Sequence, residues 1–219
     1  MSRVVKFHQT GGPEVLQIIE EQVTAPAKDE VQIKVHAIGL NRAEAMFRHG
    51  QYLETPQFPS RLGYEAAGTV AAVGDGVAGF KVGDAVSTIP AFSMNQYGTY
   101  GELVNMPVHA VVKHPAHLSW VEATAIWMQY TTAYGALIEM ADTKAGDFVL
   151  ITAASSSVGL AAIEIANMIG AIPIAMTRKS DKKDALLKAG AKYVIASEEQ
   201  DIVAEVNKIT QGKGVRVVF

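Results

Sequence analysis

The stretch from Phe148 to Gly170, FVLITAASSSVGLAAIEIANMIG, constrains the fold more than any other part of this chain. Its first residues, Phe148-Val149-Leu150-Ile151, form an apolar run short and branched enough for a buried parallel strand. The turn Thr152-Ala153-Ala154-Ser155-Ser156-Ser157-Val158-Gly159 carries nothing bulky except Val158, so a second molecule can approach its backbone closely. Leu160, Ile163, Ile165, Ala166 and Ile169 then recur at helical spacing, and Gly170 stands where a helix stops. Strand, tight turn and helix in that order make an anion cradle, because the first N–H groups of a helix are unpaired and its dipole is positive there. Of the dinucleotide fingerprint G-x-G-x-x-G only the last glycine, Gly159, is present, and a small-residue packing turn reads equally well from these residues alone.

The rest of the chain narrows the choice. Its 219 residues suffice for one large domain or two ordinary ones. With 49% hydrophobic and 19% charged residues and a net charge of -3, the chain reads as soluble and globular, with no electrostatic draw toward nucleic acid or an anionic membrane. No apolar run approaches the ~20 residues of a membrane span, and Met1-Ser2-Arg3 leads into a strand rather than a signal peptide. Cysteine is absent, which excludes disulfides, thiolate nucleophiles and cysteine-bound zinc and fits a reducing, cytoplasmic setting. The six histidines show no paired metal-ligand spacing.

Strand signals crowd the first half. Val4 to Phe7 and Leu16 to Ile19 flank Gly11-Gly12-Pro13, and Glu30 to Ala37 alternates polar with apolar. A helical pattern over Asn41 to Tyr52 stops at Gly50, and Ala66 to Gly74 and Gly79 to Val86 read as glycine-punctuated strands of a small barrel. Ser119 and Glu122 form a capping box ahead of a helical region. Beyond Gly146-Asp147, strands at Phe148 to Ile151, Ile172 to Met176, Tyr193 to Ala196 and Val215 to Phe219 alternate with helices near Val158 to Ile169, Ser180 to Ala189 and Asp201 to Thr210. Such alternation predicts a doubly wound parallel sheet.

Gly63-Tyr64-Glu65-Ala66-Ala67-Gly68, the series Val73-Gly74, Gly79-Phe80 and Gly83-Asp84, then Ala153-Ala154 with Val158-Gly159, and Lys188-Ala189-Gly190-Ala191 occur in one order over essentially the whole chain. In that order they resemble the medium-chain dehydrogenase/reductase superfamily, and within it the zinc-independent quinone oxidoreductase branch. The resemblance implies an α/β protein: an N-terminal GroES-like β-barrel domain over residues 1–122 and a Rossmann dinucleotide-binding domain over 123–219. It implies an NADPH-dependent oxidoreductase passing hydride to a quinone or α,β-unsaturated carbonyl. Zinc enzymes of the superfamily hold their catalytic metal with cysteine, histidine and cysteine, and the matching positions here are Asn41, Tyr64 and Met128. None offers a thiolate or imidazole, so a metal-free enzyme is expected.

Without a Lewis acid, reduction relies on a positioned hydride and a proton or hydrogen-bond donor. The resemblance nominates Asn41, Tyr52 and Thr132 as catalytic: Asn41 and Tyr52 facing nicotinamide and substrate, Tyr52 as proton donor, Thr132 near the carboxamide. Local backbone capping is the plainer reading of Asn41, and a turn tyrosine that of Tyr52. Tyr64 is expected to line the substrate pocket or to pack, and Arg48 to hold an anion or to be a solvated helix charge.

For the cofactor, Ala153, Ala154, Ser155, Ser156, Ser157, Val158 and Gly159 form the expected cradle. About 20 residues past the last glycine, where an NAD site wants an acid, stand Thr177, Arg178, Lys179, Ser180 and Lys182. Cations and hydroxyls there favour a 2′-phosphate, hence NADPH, with a solvated helix start as the bland alternative. Ser156 and Ser157 replace the branch's glycine pair, either crowding the pyrophosphate or bonding it, and Ala196-Ser197 replaces its Asn-Tyr. Relative to the family the chain stops within the fourth strand. That predicts a fragment of a longer enzyme, a homodimer when complete, whose edge at Val215 to Phe219 promotes association or instability. Three other readings stand beside this one: a non-catalytic dinucleotide binder or inactive fragment, an alcohol dehydrogenase-like enzyme of the superfamily, and a methyl-donor-binding α/β domain, which the preceding barrel disfavours.

Overall fold

The alternation over Glu30 to Ala37 becomes β3 (Glu30–Gly39) in the computed structural model, which describes residues 1–219. Val31 and Ile33 are buried while Lys34 faces water, as a one-sided sheet requires. β3 lies between β6 (Leu103–Pro107) and β4 (Glu65–Val73), followed by β5 (Ala85–Thr88) and β7 (Val111–Lys113) in an antiparallel sheet ordered β6-β3-β4-β5-β7. Its two edge strands, β6 and β7, are joined by the single turn Val108–Ala110. Three residues span roughly 10 Å, whereas the edges of a flat five-stranded sheet lie roughly 19 Å apart. The sheet therefore curls toward closure as a barrel, helped by irregular register in β3 between Gln32 and Ile33 and between Val35 and Ala37.

A hairpin of β1 (Ser2–Lys6) and β2 (Gln17–Glu21) attaches through bridges from Val4 to Gly101 and Phe7 to Ser60. The strand expected over Gly79 to Val86 is mostly turn: Gly79 and Gly83 take φ of +86° and +91°, and pairing starts only at Ala85. The helical pattern after Asn41 forms α1 (Arg42–Arg48), ended by Gly50 at φ +71°. Ser119 and Glu122 do form a capping box, but the helix it starts, α2 (Trp120–Ala123), is short, and α3 (Trp127–Tyr134) follows, running into a π-helical turn over Gly135–Met140.

The chain divides into two compact units, Met1–Met128 and Gln129–Phe219. In the second, β8 (Phe148–Ile151), β9 (Ile172–Thr177), β10 (Tyr193–Ala196) and β11 (Val217–Val218) form a parallel sheet ordered β10-β9-β8-β11. The continuous apolar run of β8 follows from burial on both faces. Val149 and Ile151 pack with Ile163, Ala162 and Ala166 of α4 (Ser157–Met168), while Leu150 meets Ile174, Ile195 and α6 (Ile202–Thr210). The helix expected over Ser180 to Ala189 opens with a 3-10 turn, Ser180–Lys182, before α5 (Lys183–Lys188). β11 is shorter than expected because glycines at positive φ, Gly212 and Gly214, hold a turn until just before it. No helix is long and apolar enough to cross a membrane.

Candidate functional site

Where β8 ends, Ala153 takes a left-handed φ of +44°, swinging Ala154 inward so that its N–H donates to the Met176 carbonyl at 3.1 Å. The chain then turns outward through three serines. Ser156 is the N-cap of α4, and its Oγ accepts the Gly159 N–H at 3.1 Å. That hydroxyl starts the helix one residue before the expected Val158, and it shows what the second serine of the turn does in place of glycine: it caps. Gly159 is required for space. A Cβ there would lie 2.7 Å from both Cα and O of Ala154. The first-turn N–H groups of Ser157 and Val158 lack an intrahelical acceptor, as at any helix start.

The other predicted cofactor residues gather at the carboxyl ends of neighbouring strands, where ligands bind in open α/β sheets. Ala153, Ser155, Thr177, Arg178 and Lys182 line one cavity of about 240 Å³, together with Met176 and Ser197. Lys182 Nζ donates to Ser155 Oγ at 3.3 Å, tying the turn to the basic segment across 27 positions of sequence. An adjoining cavity of about 370 Å³ shares Thr177, Arg178 and Lys182 and adds Lys179, but also Asp181 and Glu198. Two carboxylates thus line this cavity with the cations, Asp181 from within the basic run and Glu198 from beyond β10. Ser180 lines neither cavity; its N–H donates to Glu199 at 3.1 Å, and that bond holds the Glu199 carboxyl below its ordinary range. Met176, within β9, escaped the sequence reading of the site, and Ser197, first residue past β10, entered it only as part of the Ala196-Ser197 pair that replaces the branch's Asn-Tyr. The strand ends themselves were the available signal.

In the first unit, Asn41 is the N-cap of α1. Its backbone N–H donates to Glu44, whose Oε1 also accepts the Tyr64 N–H at 3.2 Å. Asn41 Nδ2 donates to Glu65 Oε2 at 2.9 Å and reaches Glu44 Oε1 at 3.4 Å, so both amide hydrogens go to carboxylates. Glu44 and Glu65 are 3% and 4% exposed, and Glu65 Oε1 also accepts the Met128 N–H at 2.9 Å. Burial holds the Glu44 carboxyl above its ordinary range, against the hydrogen bonds from Asn41 and Tyr64. The plainer reading of Asn41, local capping, is what this geometry displays. The N-x-x-E spacing of Asn41 and Glu44 advertised the cap, and Glu65 stood out only as an acid inside an apolar strand.

Tyr64 is buried beside Phe92, ring centroids 5.4 Å apart, and Tyr52 sits 6.3 Å away at 60°. Burial, then hydrogen bonding to Tyr52, pushes the Tyr64 phenol well above its ordinary range. Tyr52 lies against the cluster of Phe7, Phe47, Leu62 and Met94, half-buried. Arg48 is not a solvated helix charge: it is buried, and its Nε donates to the Gly11 carbonyl at 3.0 Å. Asn41, Tyr52 and Tyr64 thus come together, whereas Arg48 turns to the Gly11 loop. Thr132 belongs to the second unit, on α3, and is exposed.

Two family models match the chain, the alcohol dehydrogenase GroES-like domain over residues 27–116 and the zinc-binding dehydrogenase domain over 157–219. Quinone oxidoreductase 1 of Escherichia coli (strain K12) is 37% identical over 219 residues, covering 100% of this chain and 65% of the relative. The quinone oxidoreductase of Homo sapiens is 36% identical over 220 residues, with 66% of its length covered. Among solved structures, Escherichia coli quinone oxidoreductase complexed with NADPH superposes with a TM-score of 0.88 at 37% identity, over 99% of this chain and 65% of that one. An NAD-dependent alcohol dehydrogenase gives 0.90 at 32% identity, over 99% and 69%. The chain therefore spans 65% and 66% of the length of the two curated relatives.

Proposed function

Because the chain belongs to the medium-chain dehydrogenase/reductase superfamily, in its quinone oxidoreductase-like branch, we propose that it binds NADPH and serves the reduction of a quinone or α,β-unsaturated carbonyl without zinc. The observation that carries this reading is the joining of the serine turn to the basic segment, Lys182 on Ser155, around one cavity at the strand ends. The residues fit a dinucleotide. Gly159 leaves room where any side chain would collide with Ala154, and the N–H groups of Ser157 and Val158 suit a pyrophosphate. Thr177, Arg178, Lys179 and Lys182 supply hydroxyl and cationic donors for a 2′-phosphate. When bound, the reduced nicotinamide supplies hydride.

Zinc does not fit the donor set. The chain has no cysteine, the matching positions hold Asn41, Tyr64 and Met128, and no group of three metal-ligating side chains assembles. In this reading Tyr52 delivers the proton from its hydroxyl. Asn41 acts by fixing the start of α1 rather than by donating to substrate, since its amide hydrogens are spent on Glu44 and Glu65. Thr132 keeps its proposed place beside the nicotinamide carboxamide on family resemblance alone, as do a cytoplasmic homodimer and a small-molecule substrate for the whole protein.

Parallel fluorescence titrations with NADPH and NADH test the cofactor. Tighter NADPH binding that falls about tenfold in Lys182→Ala, with NADH unchanged, is the expected result for one charge-assisted contact. A second reading, an NAD-dependent enzyme of alcohol dehydrogenase type, draws on Asp181 and Glu198 beside the cations, and NADH preference would establish it over the first. Turnover unchanged in Tyr52→Phe would point instead to a binding protein without catalysis.

A further inference from the structure

Tyr64 stands where zinc relatives place a metal ligand, and its surroundings give it a different task. Three anchors fix it. Its N–H donates to Glu44 at 3.2 Å, its carbonyl accepts Thr88 Oγ1 at 2.8 Å, and its ring packs on Phe92 at 5.4 Å. Thr88 is fully buried and also accepts the Ala66 N–H at 2.8 Å, so the backbone on both sides of Glu65 is pinned. Gly63, immediately before, has φ +105° and no room for a Cβ against the Tyr100 ring. A residue held this rigidly presents its side chain in one direction, and the tyrosine ring it meets edge-on is Tyr52.

Resting on the reading of Tyr52 as proton donor, we propose that Tyr64 is its positioning residue, a buried and rigidly anchored phenol whose O–H donates a hydrogen bond to the Tyr52 oxygen. When the Tyr52 O–H bond breaks, the proton passes to the electron-rich atom of the reduced substrate. The negative charge left on Tyr52 Oη is met by the Tyr64 O–H, and solvent returns the proton afterwards. Two features suit Tyr64 to this task. Burial and the neighbouring Glu54 and Glu44 all disfavour its ionised form, so it remains a donor over the pH range of catalysis. A preorganised O–H in a water-poor site also stabilises a developing oxyanion at little reorganisation cost. Other ionisable groups in or around this cluster are Tyr100, itself pushed up by burial, and Arg48, committed to Gly11.

Tyr64→Phe keeps the ring and deletes the hydroxyl, and thermal melting checks that the fold is kept. The protein is assayed for NADPH-dependent quinone and enone reduction across pH as wild type, Tyr64→Phe, Tyr52→Phe and the double variant, with NADPH affinity measured separately by fluorescence. The expected result is a kcat about tenfold lower in Tyr64→Phe, the scale of one hydrogen bond to an oxyanion, with the alkaline limb of the pH profile displaced upward and NADPH affinity unchanged. The double variant is expected to be no slower than Tyr52→Phe, because Tyr64 acts only through Tyr52. An unmoved pH limb, or an equal Tyr64→Phe loss in the Tyr52→Phe background, overturns the positioning role while Tyr52 stands. Full turnover in Tyr52→Phe overturns the donor reading and Tyr64's role with it.

Discussion

The two units hold polar groups in opposite ways. Around Asn41 the two carboxylates are buried and the amide half-buried, and the carboxylates take their hydrogen bonds from within the unit: Glu44 from Asn41 and the Tyr64 N–H, Glu65 from Asn41 and the Met128 N–H. Around the serine turn the hydroxyls of Ser155, Ser156 and Ser157 and the cations face solvent, and the serine turn is tied to the basic segment by the long Lys182 to Ser155 bond of 3.3 Å. A buried network is fixed before any ligand arrives, which suits chemistry that needs aimed groups. An exposed set keeps donors in reserve and becomes ordered by what it binds. Substitutions in the first unit should therefore appear mainly as stability, and those in the second mainly as affinity.

Gly159 breaks that rule and gives the largest expected effect. Although it lies in the exposed cradle, its missing Cβ is a packing requirement, with Ala154 O at 2.7 Å and Ala153 O at 2.8 Å. Gly159→Val should lower stability by about 3 kcal/mol through overpacking and abolish nucleotide binding. Urea melts and NADPH titration measure both. A variant that kept both stability and binding would show that the turn yields easily.

Glu65→Ala sharpens the contrast from the other side. It removes the acceptor of Asn41 Nδ2 in a 4% exposed site and leaves a cavity, for an expected loss of about 2–3 kcal/mol. Cofactor affinity should change little if the units divide labour as described. The measurement is a denaturant midpoint beside a nucleotide titration.

These residues also show where sequence is informative. The parallel strands were readable because burial on both faces leaves unbroken apolar runs, as in Phe148 to Ile151. Gly79 to Asp84 misled because Phe80 and Val82 mimic alternation while Gly79 and Gly83 actually turn the chain. At the candidate site, the Asn41 cap on Glu44 was local and visible. Its bond to Glu65 joins residues 24 apart, and the Lys182 to Ser155 link spans 27, so neither leaves a pattern in any short window. The cation run carries Asp181 within it in plain view, but nothing in it showed the Glu198 carboxylate that folding brings beside it.

Ser156 tests the exposed side at smaller scale. Its Oγ accepts from Gly159 N–H, so Ser156→Ala should cost about 1 kcal/mol of stability and Ser156→Gly only a few tenths. Restoring glycine also frees the Gly159 N–H, and nucleotide affinity should hold or rise even as stability falls slightly. A fall in affinity in both variants would mean that the hydroxyl itself bonds the ligand.

The smallest effect belongs to pH and to the first unit. Ser87 Oγ donates to the Ala123 carbonyl at 2.8 Å, which leaves it to accept from His114 Nδ1 at 2.9 Å and fixes that nitrogen as the protonated one. Burial holds the imidazole below its ordinary value, and a hydrogen bond to the Val86 backbone offsets part of the shift. The folded state therefore binds fewer protons here than the unfolded chain. Stability is fully present above the ordinary histidine value of 6.5 and is lost as pH falls through the lower folded value. Glu44, raised by burial, has the opposite sign and gains as its carboxylate is neutralised, so the two must be separated by substitution. In His114→Gln the urea midpoint should decline less between about pH 7 and pH 5 than in wild type, with the two curves parallel above that window. Identical slopes would show that this imidazole is solvated enough to titrate alike in both states, and the first unit would then be less thoroughly closed than its carboxylates imply.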